Sequence, residues 1–549
     1  MTTYITQDQT TPLLASLDGE QWIIDTGGTI DAAGSAIDAS GIATGQDFIV
    51  KGNLIATGGA FLRIGDASVA DLSTTLKFDY RAVCTSDGIG FLGLSGGLDI
   101  ENVGKLTARS TLFALIGDTQ VIENSSQMRS LKAGAFVITG DDVILDNNDG
   151  AIVSRGAVLT VQGDLAVINN NAVMRSTAGA GISITGEQAT ITNNDALVSF
   201  KQAIRVHGDH AEIVNNGLVK SRDGQGIAVI GDAASISNNG VIRAASHGLV
   251  VTGDDFAIIN HKQILSGRIG VLLDGDGMLL TQNRIEGRIG IQVSDGDVEI
   301  TNTNVIQSSS KTLAAVVIAS RDGTSFTNDG AVHAASAIVF QGGKGQDIVV
   351  NHGWLDGAVF LGAGKDHFTS SAGQVTGAVR GGAGNDLYSI NSSLRVIEAA
   401  GGGRDTVEST DSYRLSANLE NLVLLGNAPS NGAGNNGRNH ITGSGADNVL
   451  RGYAGNDSLV GGRGRDTLIG GGGKDTFVFS DHGGRDKIVD FTQGDDRISL
   501  AAYADIDNVK EAKAHLSVSG NDAVFQIGSD RIRVEDGAHI RFHAEDFIF

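Results

Sequence analysis

A Gly-Asp or Gly-Glu pair recurs through the middle of the chain at Gly140, Gly163, Gly186, Gly208, Gly231, Gly253, Gly275 and Gly296, with spacings of 23, 23, 22, 23, 22, 22 and 21 residues. A period this constant ties the fold to a stack of like units. Within each unit, as in GIAVIGDAASISNNGVIRA from Gly226, apolar residues alternate with small or polar ones (Ile227 and Val229, then Ile236, then Val241), and Gly-Asp and Asn-Asn-Gly break the alternation. That is the pattern of three short strands joined by corners. One such unit cannot bury its own interior, so the units must stack, each strand pairing with its equivalent about 4.8 Å away. The expected fold is all-β: a right-handed parallel β-helix with coils of about 22 residues. Only two prolines, Pro12 and Pro429, occur in 549 residues, as expected when nearly every backbone N–H is used by a ladder.

The stacking also predicts columns of like side chains. Eight residues after the corner glycine stand Asn148, Asn171, Asn194, Asn216, Asn239, Asn283 and Asn304, an expected ladder of side-chain amides interrupted or bridged at His261. The acids Asp141, Asp164, Glu187, Asp209, Asp232, Asp254, Asp276 and Asp297 should stack on one corner, either as turn formers in solvent or as a cation-binding stripe. Arg155, Arg175, Lys201, Arg222, Arg243, Arg268, Arg288 and Lys311 recur at 20 to 26 residues, either as a solvated edge or as a cationic track for an acidic polysaccharide.

Forty basic against 63 acidic residues leave a net charge of −23, which disfavours nucleic acid and anionic membranes and favours divalent cations as partners. No stretch has the length and apolarity of a transmembrane segment. The single cysteine, Cys84, excludes an intramolecular disulfide. The first residues, MTTYITQDQTTPLLASLDGE, lack the basic and apolar regions of a Sec signal. Residues 1–18 are expected to cap the helix, which then runs over 19–341.

From Gly342 a second signature enters. GGKGQD (342–347), GGAGND (381–386), GGRGRD (461–466) and GGGGKD (470–475) all match GGxGxD, and GYAGND (452–457), TGSGAD (442–447), LGAGKD (361–366) and AGGGRD (400–405) are close variants. The glycines permit a positive-φ turn that aims backbone carbonyls inward, and the aspartate adds a charged oxygen. Together they supply the hard-oxygen shell that Ca²⁺ prefers, with Mg²⁺ fitting poorly. Asp457, Asp466 and Asp475 are nine apart, so two turns and two short strands close one coil of a parallel β-roll. Over 342–411 the motifs stand 19 or 20 residues apart, close to one coil, which predicts calcium turns on one corner of the β-helix before a full roll over 412–490.

Residues 342 to 490 resemble the RTX, or haemolysin-type calcium-binding, nonapeptide repeats of secreted bacterial proteins. The resemblance implies that Asp347, Asp366, Asp386, Asp405, Asp447, Asp457, Asp466 and Asp475, and backbone oxygens around Gly452, Gly455, Gly461, Gly464 and Gly470, hold several Ca²⁺ ions, with Asp486 a further candidate. Residues 491–549, ending Glu545, Asp546, Phe547, Ile548, Phe549, are similar to the C-terminal region of RTX proteins exported by type I ABC transporters. That implies an extracellular protein whose repeats fold on external calcium. The tail also reads as a terminal capping strand. Two roles stay open for the β-helix: a rigid surface for adhesion, matrix or acidic polysaccharide, and a polysaccharide lyase or epimerase, since the layout resembles secreted alginate epimerases. The Asp-Pro-His motif of those enzymes has no counterpart here, nor does HExxH, and no catalytic residues are assigned.

Overall fold

The computed structural model describes residues 97–391 and 393–549 continuously. Before that it describes 2–5, 9, 13–14, 21–24, 29–32, 36–39, 47–57, 59–64 and 74–93. The chain divides into two compact units, Met1–Ser310 and Lys311–Phe549. Both are parallel β-solenoids, and among the described residues one short α-helix, Val509–Ala514, and two 3-10 turns, Gly537–His539 and Ala544–Asp546, interrupt the strands of the second.

In the first unit a typical coil has strands Phe136–Thr139, Ile144–Asn147 and Ile152–Ser154, paired in parallel with Leu159–Gln162, Val167–Asn170 and Met174–Ser176 of the next. Alternation puts Leu145, Ile168, Ile191, Ile213, Ile236, Ile258, Leu279 and Ile300 in one inward column in exact register. None is more than 1% exposed. Each buried aliphatic of this size contributes roughly 1.5–3 kcal/mol, so the interior is held by many equal increments. Thr2–Ile5 already pairs in parallel with Gln21–Ile24, and Leu13–Leu14 with Ile37–Asp38, inside the segment expected to be a cap. The rest of that segment, apart from an isolated bridge at Gln9, lies outside the described residues.

The corner glycines are obligate. At Gly163, φ is +156°, and a Cβ there would overlap the carbonyl oxygen of Gly140 one coil away. The acids that follow line one corner, where the aspartate carboxylates accept the backbone N–H of the next coil's acid, as from Asp164 N to Asp141 Oδ1 (2.8 Å) and Asp276 N to Asp254 Oδ1 (3.0 Å). These carboxylates are tied to backbone donors in the manner of turn formers.

The amide ladder is double, and its stronger half lies one residue before the expected one. Asn102, Asn124, Asn147, Asn170, Asn193, Asn215, Asn238 and Asn260 are fully buried, and each Nδ2 donates to the next Oδ1 at 2.7–2.8 Å. Asn260 then donates to Thr281 Oγ1 (3.1 Å). Of the expected set, Asn148, Asn171, Asn194, Asn216 and Asn239 form an outer ladder of opposite polarity, whereas Asn283 Oδ1 accepts Arg284 N–H and Asn304 N–H donates to Asn302 Oδ1. His261 follows the outer ladder and bonds to Gln282 (2.6 Å). Period-2 alternation decides the difference, turning the first Asn of each Asn-Asn pair inward. The expected cation column also divides: Arg175 and Arg243 are strand residues, in register with Val153 and Lys220, whereas Arg155, Lys201, Arg222, Arg268 and Arg288 lie in the turns that follow.

In the second unit the inward column on one face is Phe326, Val349, Phe368, Tyr388, Val407, Leu422, Ile441, Leu459, Phe477 and Ile498, all fully buried. From Tyr413 a second sheet faces it, adding strands at Asn431–Ala433, Val449–Ala454, Thr467–Gly472 and Arg485–Ile488. The strand Asp530–Val534 extends this sheet and closes it through an antiparallel hairpin with Asp522–Ile527. Phe547–Ile548 pairs with Ile498–Ser499, so the tail is a capping strand.

Candidate metal centre

The motif aspartates of the second unit stand immediately before, or at the start of, strands of the two facing sheets, so the stacking of coils makes two columns. The first runs Asp347, Asp366, Asp386, Asp405, Glu420, Asn439, Asp457, Asp475, Asp496. Each backbone N–H donates to the carboxylate of the next coil: Asp347 to Asp366 (2.8 Å), Asp366 to Asp386 (2.8 Å), Asp386 to Asp405 (2.9 Å), Asp457 to Asp475 (2.8 Å) and Asp475 to Asp496 (2.9 Å). The second column runs Asn448, Asp466, Asp486, with Asn448 N on Asp466 (2.8 Å) and Asp466 N on Asp486 (2.9 Å).

What distinguishes these carboxylates from the exposed acids of the first unit is the second oxygen. Asp347 Oδ1 and the Oδ2 atoms of Asp366, Asp405, Asp457, Asp466 and Asp475 are buried and accept no hydrogen bond. Among the described residues, no ion pair includes a column carboxylate, and the motif's own cations, Arg463, Arg465 and Lys474, are exposed. A buried anion with neither donor nor counter-charge is costly, several kcal/mol per group, unless a cation sits beside it.

The glycines make the space. A Cβ at Gly342, Gly381, Gly452, Gly461 or Gly470 would overlap an oxygen of that motif's own aspartate. Gly455 and Gly464 adopt φ of +119° and +124°, the left-handed region that turns the backbone around the carboxylate. Side chain-free walls, carboxylate oxygens and backbone carbonyls form an all-oxygen donor set, and the residues present fit a hard cation such as Ca²⁺. Burial pushes the carboxyls up, to about 6 at Asp347, Asp386 and Asp496, to about 7 at Asp366, Asp405, Asp457, Asp466 and Asp486, and in the same direction at Asp475. Backbone N–H donors oppose the rise, and neighbouring carboxylates add to it at most of these positions.

Asp447 stands off the columns. It is exposed, its Oδ1 accepts Arg465 N (2.8 Å), and the buried column position belongs to Asn448. The frame of that repeat is GSGADN, aligned on Gly461 through Asp466, one residue later than the spelling TGSGAD suggests. Asn439 fills the equivalent place one turn earlier in the first column, in the frame GNNGRN. Asp496 and Glu420 lack the glycine motif and were invisible to it. So was Glu398, which with Asp386 and Asp405 forms a buried group in which one carboxylate oxygen from each lies within 4.8 Å of the other two.

Residues 433–468 and 451–480 match the family described as RTX calcium-binding nonapeptide repeat (4 copies), HemolysinCabind. The chain thus carries RTX calcium-binding repeats in a parallel β-solenoid. No curated protein matches it. Among solved structures it is similar to the AlgE6R3 subunit of the Azotobacter vinelandii mannuronan C5-epimerase, at 29% identity over 25% of this chain and 81% of that one, with a TM-score of 0.19. It is also similar to the extracellular lipase LipA from Serratia marcescens, at 17% identity over 45% of this chain and 42% of that one, with a TM-score of 0.16.

Proposed function

We propose that the protein is exported by a type I ABC transporter, that its second unit folds when extracellular Ca²⁺ fills the two columns, and that its first unit then presents a rigid surface to acidic polysaccharide, matrix or a cell surface. The observation that carries the calcium step is the row of buried carboxylate oxygens with no donor and no cationic partner. The ligands are Asp347, Asp366, Asp386, Asp405, Asp457, Asp466, Asp475, Asp486 and Asp496, with backbone oxygens of the glycine turns. Without ions the carboxylates repel and the glycines gain most from disorder, so the unfolded chain is favoured at low calcium. Sites of extracellular modules bind at about 10⁻⁴–10⁻³ M, matched to the outside of a cell.

For the surface, the reading is supported by two cationic grooves of the first unit. One, about 530 Å³, is lined by Arg109, Lys132 and Arg155 with Thr85, Ser86 and Thr107, and by Asp87, which faces Arg109 at 4.0 Å. The other, about 770 Å³, holds Lys220, Arg222 and Arg243. On a chain of net charge −23 such clusters favour polyanions with hydroxyls and carboxylates. A circular dichroism titration of the whole protein should show β structure gained with Ca²⁺ at millimolar concentration and not with Mg²⁺; equal structure in chelator would overturn the calcium step. Incubating the Ca²⁺-loaded protein with uronate polysaccharides, and reading both retention and new unsaturated ends, tests the surface: retention without turnover is expected.

A further inference from the structure

We propose that Asp386, Glu398 and Asp405 form a third kind of divalent-cation site, in which a glutamate standing in line with a motif glycine supplies the extra carboxylate. It rests on reading the columns as cation sites, since Asp386 and Asp405 belong to the first.

The register explains how Glu398 arrives there. Val379 pairs with Val396 and Arg380 with Ile397, so the next position sets Glu398 beside Gly381, the first glycine of GGAGND. From Gly381 to Asp386 is five residues, and from Glu398 to Asp405 seven, so this coil carries two extra residues and the Ala400–Asp405 spelling of the motif does not mark its true start. Where the other motifs leave a bare glycine against the aspartate, this coil places a carboxylate. A Cβ at Gly381 would overlap the Tyr388 hydroxyl, Glu398 Oε1 and Asp386 Oδ2, which shows that three oxygens converge on one point beside a residue with no side chain.

Asp386, Glu398 and Asp405 are 2%, 5% and 1% exposed. Glu398 Oε2 accepts Gly382 N–H (3.1 Å), and the Tyr388 hydroxyl donates to Glu398 Oε1. Asp405 Oδ1 accepts Asp386 N–H (2.9 Å), while its Oδ2 is buried and accepts from nothing. Three formal negative charges thus share one phenol and three backbone donors, the third being Asp366 N–H on Asp386 Oδ1 (2.8 Å), and Arg380, the nearest cation along the strand, lies over the Phe360 ring instead. Tyr388 is the one hydroxyl in an inward column otherwise of Phe, Val, Leu and Ile, so its polar end is placed for this cluster. An all-oxygen set with a third carboxylate selects a hard divalent ion and holds it more tightly than sites with fewer charged ligands. This site fills first as calcium rises.

Terbium, a hard-ion probe whose emission is sensitised by a nearby tyrosine, reads it directly in the full-length protein. Wild-type protein titrated with Tb³⁺ should show tyrosine-sensitised emission in the earliest-filling class. E398Q, whose amide oxygen can still accept Gly382 N–H while its NH2 donates to a rotated Tyr388 hydroxyl, should weaken that class tenfold or more and lower the Ca²⁺ total by one ion in equilibrium dialysis, with unchanged circular dichroism in saturating Ca²⁺. Tyr388→Phe should lose the emission of that class and keep the ion total. If E398Q matches wild type in both emission and total, the site is overturned and the columns stand; if wild-type protein binds no Ca²⁺, both fall.

Discussion

Aspartates recur on the corners of both units, and the two sets do opposite work. In the first unit the carboxylate sits in solvent and both caps a neighbouring N–H and stays hydrated. In the second it is buried, gives one oxygen to a backbone N–H and leaves the other bare. Asp466→Asn should therefore raise the calcium midpoint about tenfold or more, equivalent to about 1.4 kcal/mol, while stabilising the calcium-free fold; calorimetric titration and melting in chelator check both signs. Asn448→Asp, which puts a charge where the second column has an amide, should lower the midpoint. The same carboxyls set a pH dependence. Their folded values, about 6 to 7, lie above the unfolded value of 3.8, so the calcium-free fold binds more protons than the unfolded chain between those limits. Stability without calcium is then full below about pH 4 and is lost as pH rises towards 7, at about 1.4 kcal/mol per pH unit per group. Chelated protein should melt higher at pH 4.5 than at pH 8, and a higher melting temperature at pH 8 would contradict the burial of the columns.

Strands in this chain are too short to be stable singly, and what holds each is its place in a ladder. The two asparagine ladders give a controlled contrast. Asn215 accepts from Asn193 and donates to Asn238, both at 2.7 Å and with no access to water. Asn215→Ala leaves a buried donor and a buried acceptor unmade, at roughly 1–3 kcal/mol each. Its neighbour Asn216 makes bonds of the same type to Asn194 and Asn239 at an exposed position, where truncation costs within about 0.5 kcal/mol. Thermal unfolding of the two variants should differ accordingly, and equal losses would mean that the inner ladder carries no special weight.

Taken as two units, the chain distributes its dependence on calcium unevenly. Every column carboxylate lies within Lys311–Phe549, whereas Met1–Ser310 is held by aliphatic columns and amide ladders. Scanning calorimetry of the full chain in chelator should show the transition of the second unit shifted down by tens of degrees or absent, and that of the first unchanged. A single transition that moves as one would show instead that the units unfold together.

How much of this was legible beforehand follows from what repeats. Gly140 through Gly296 announced the coils, because only a residue without Cβ fits where successive corners touch, and the GGxGxD spellings announced the carboxylate columns for the same reason. Frame was harder: Asp447 and Asn448 are both plausible in the spelling, and only the pairing of Val449 with Thr467 shows which turns inward. The outer asparagine ladder was legible from Asn148 to Asn239, but the inner one beside it was not, since alternation fixes a face only after one strand residue is known to be buried. Glu398, Glu420 and Asp496 carry no motif at all. Local spelling determined the period, the turns and the presence of ion-seeking carboxylates, all of which depend on backbone freedom and charge within a few residues. The stacking of coils decided which oxygens meet, because residues 12 to 21 positions apart become neighbours only when one turn lies on another.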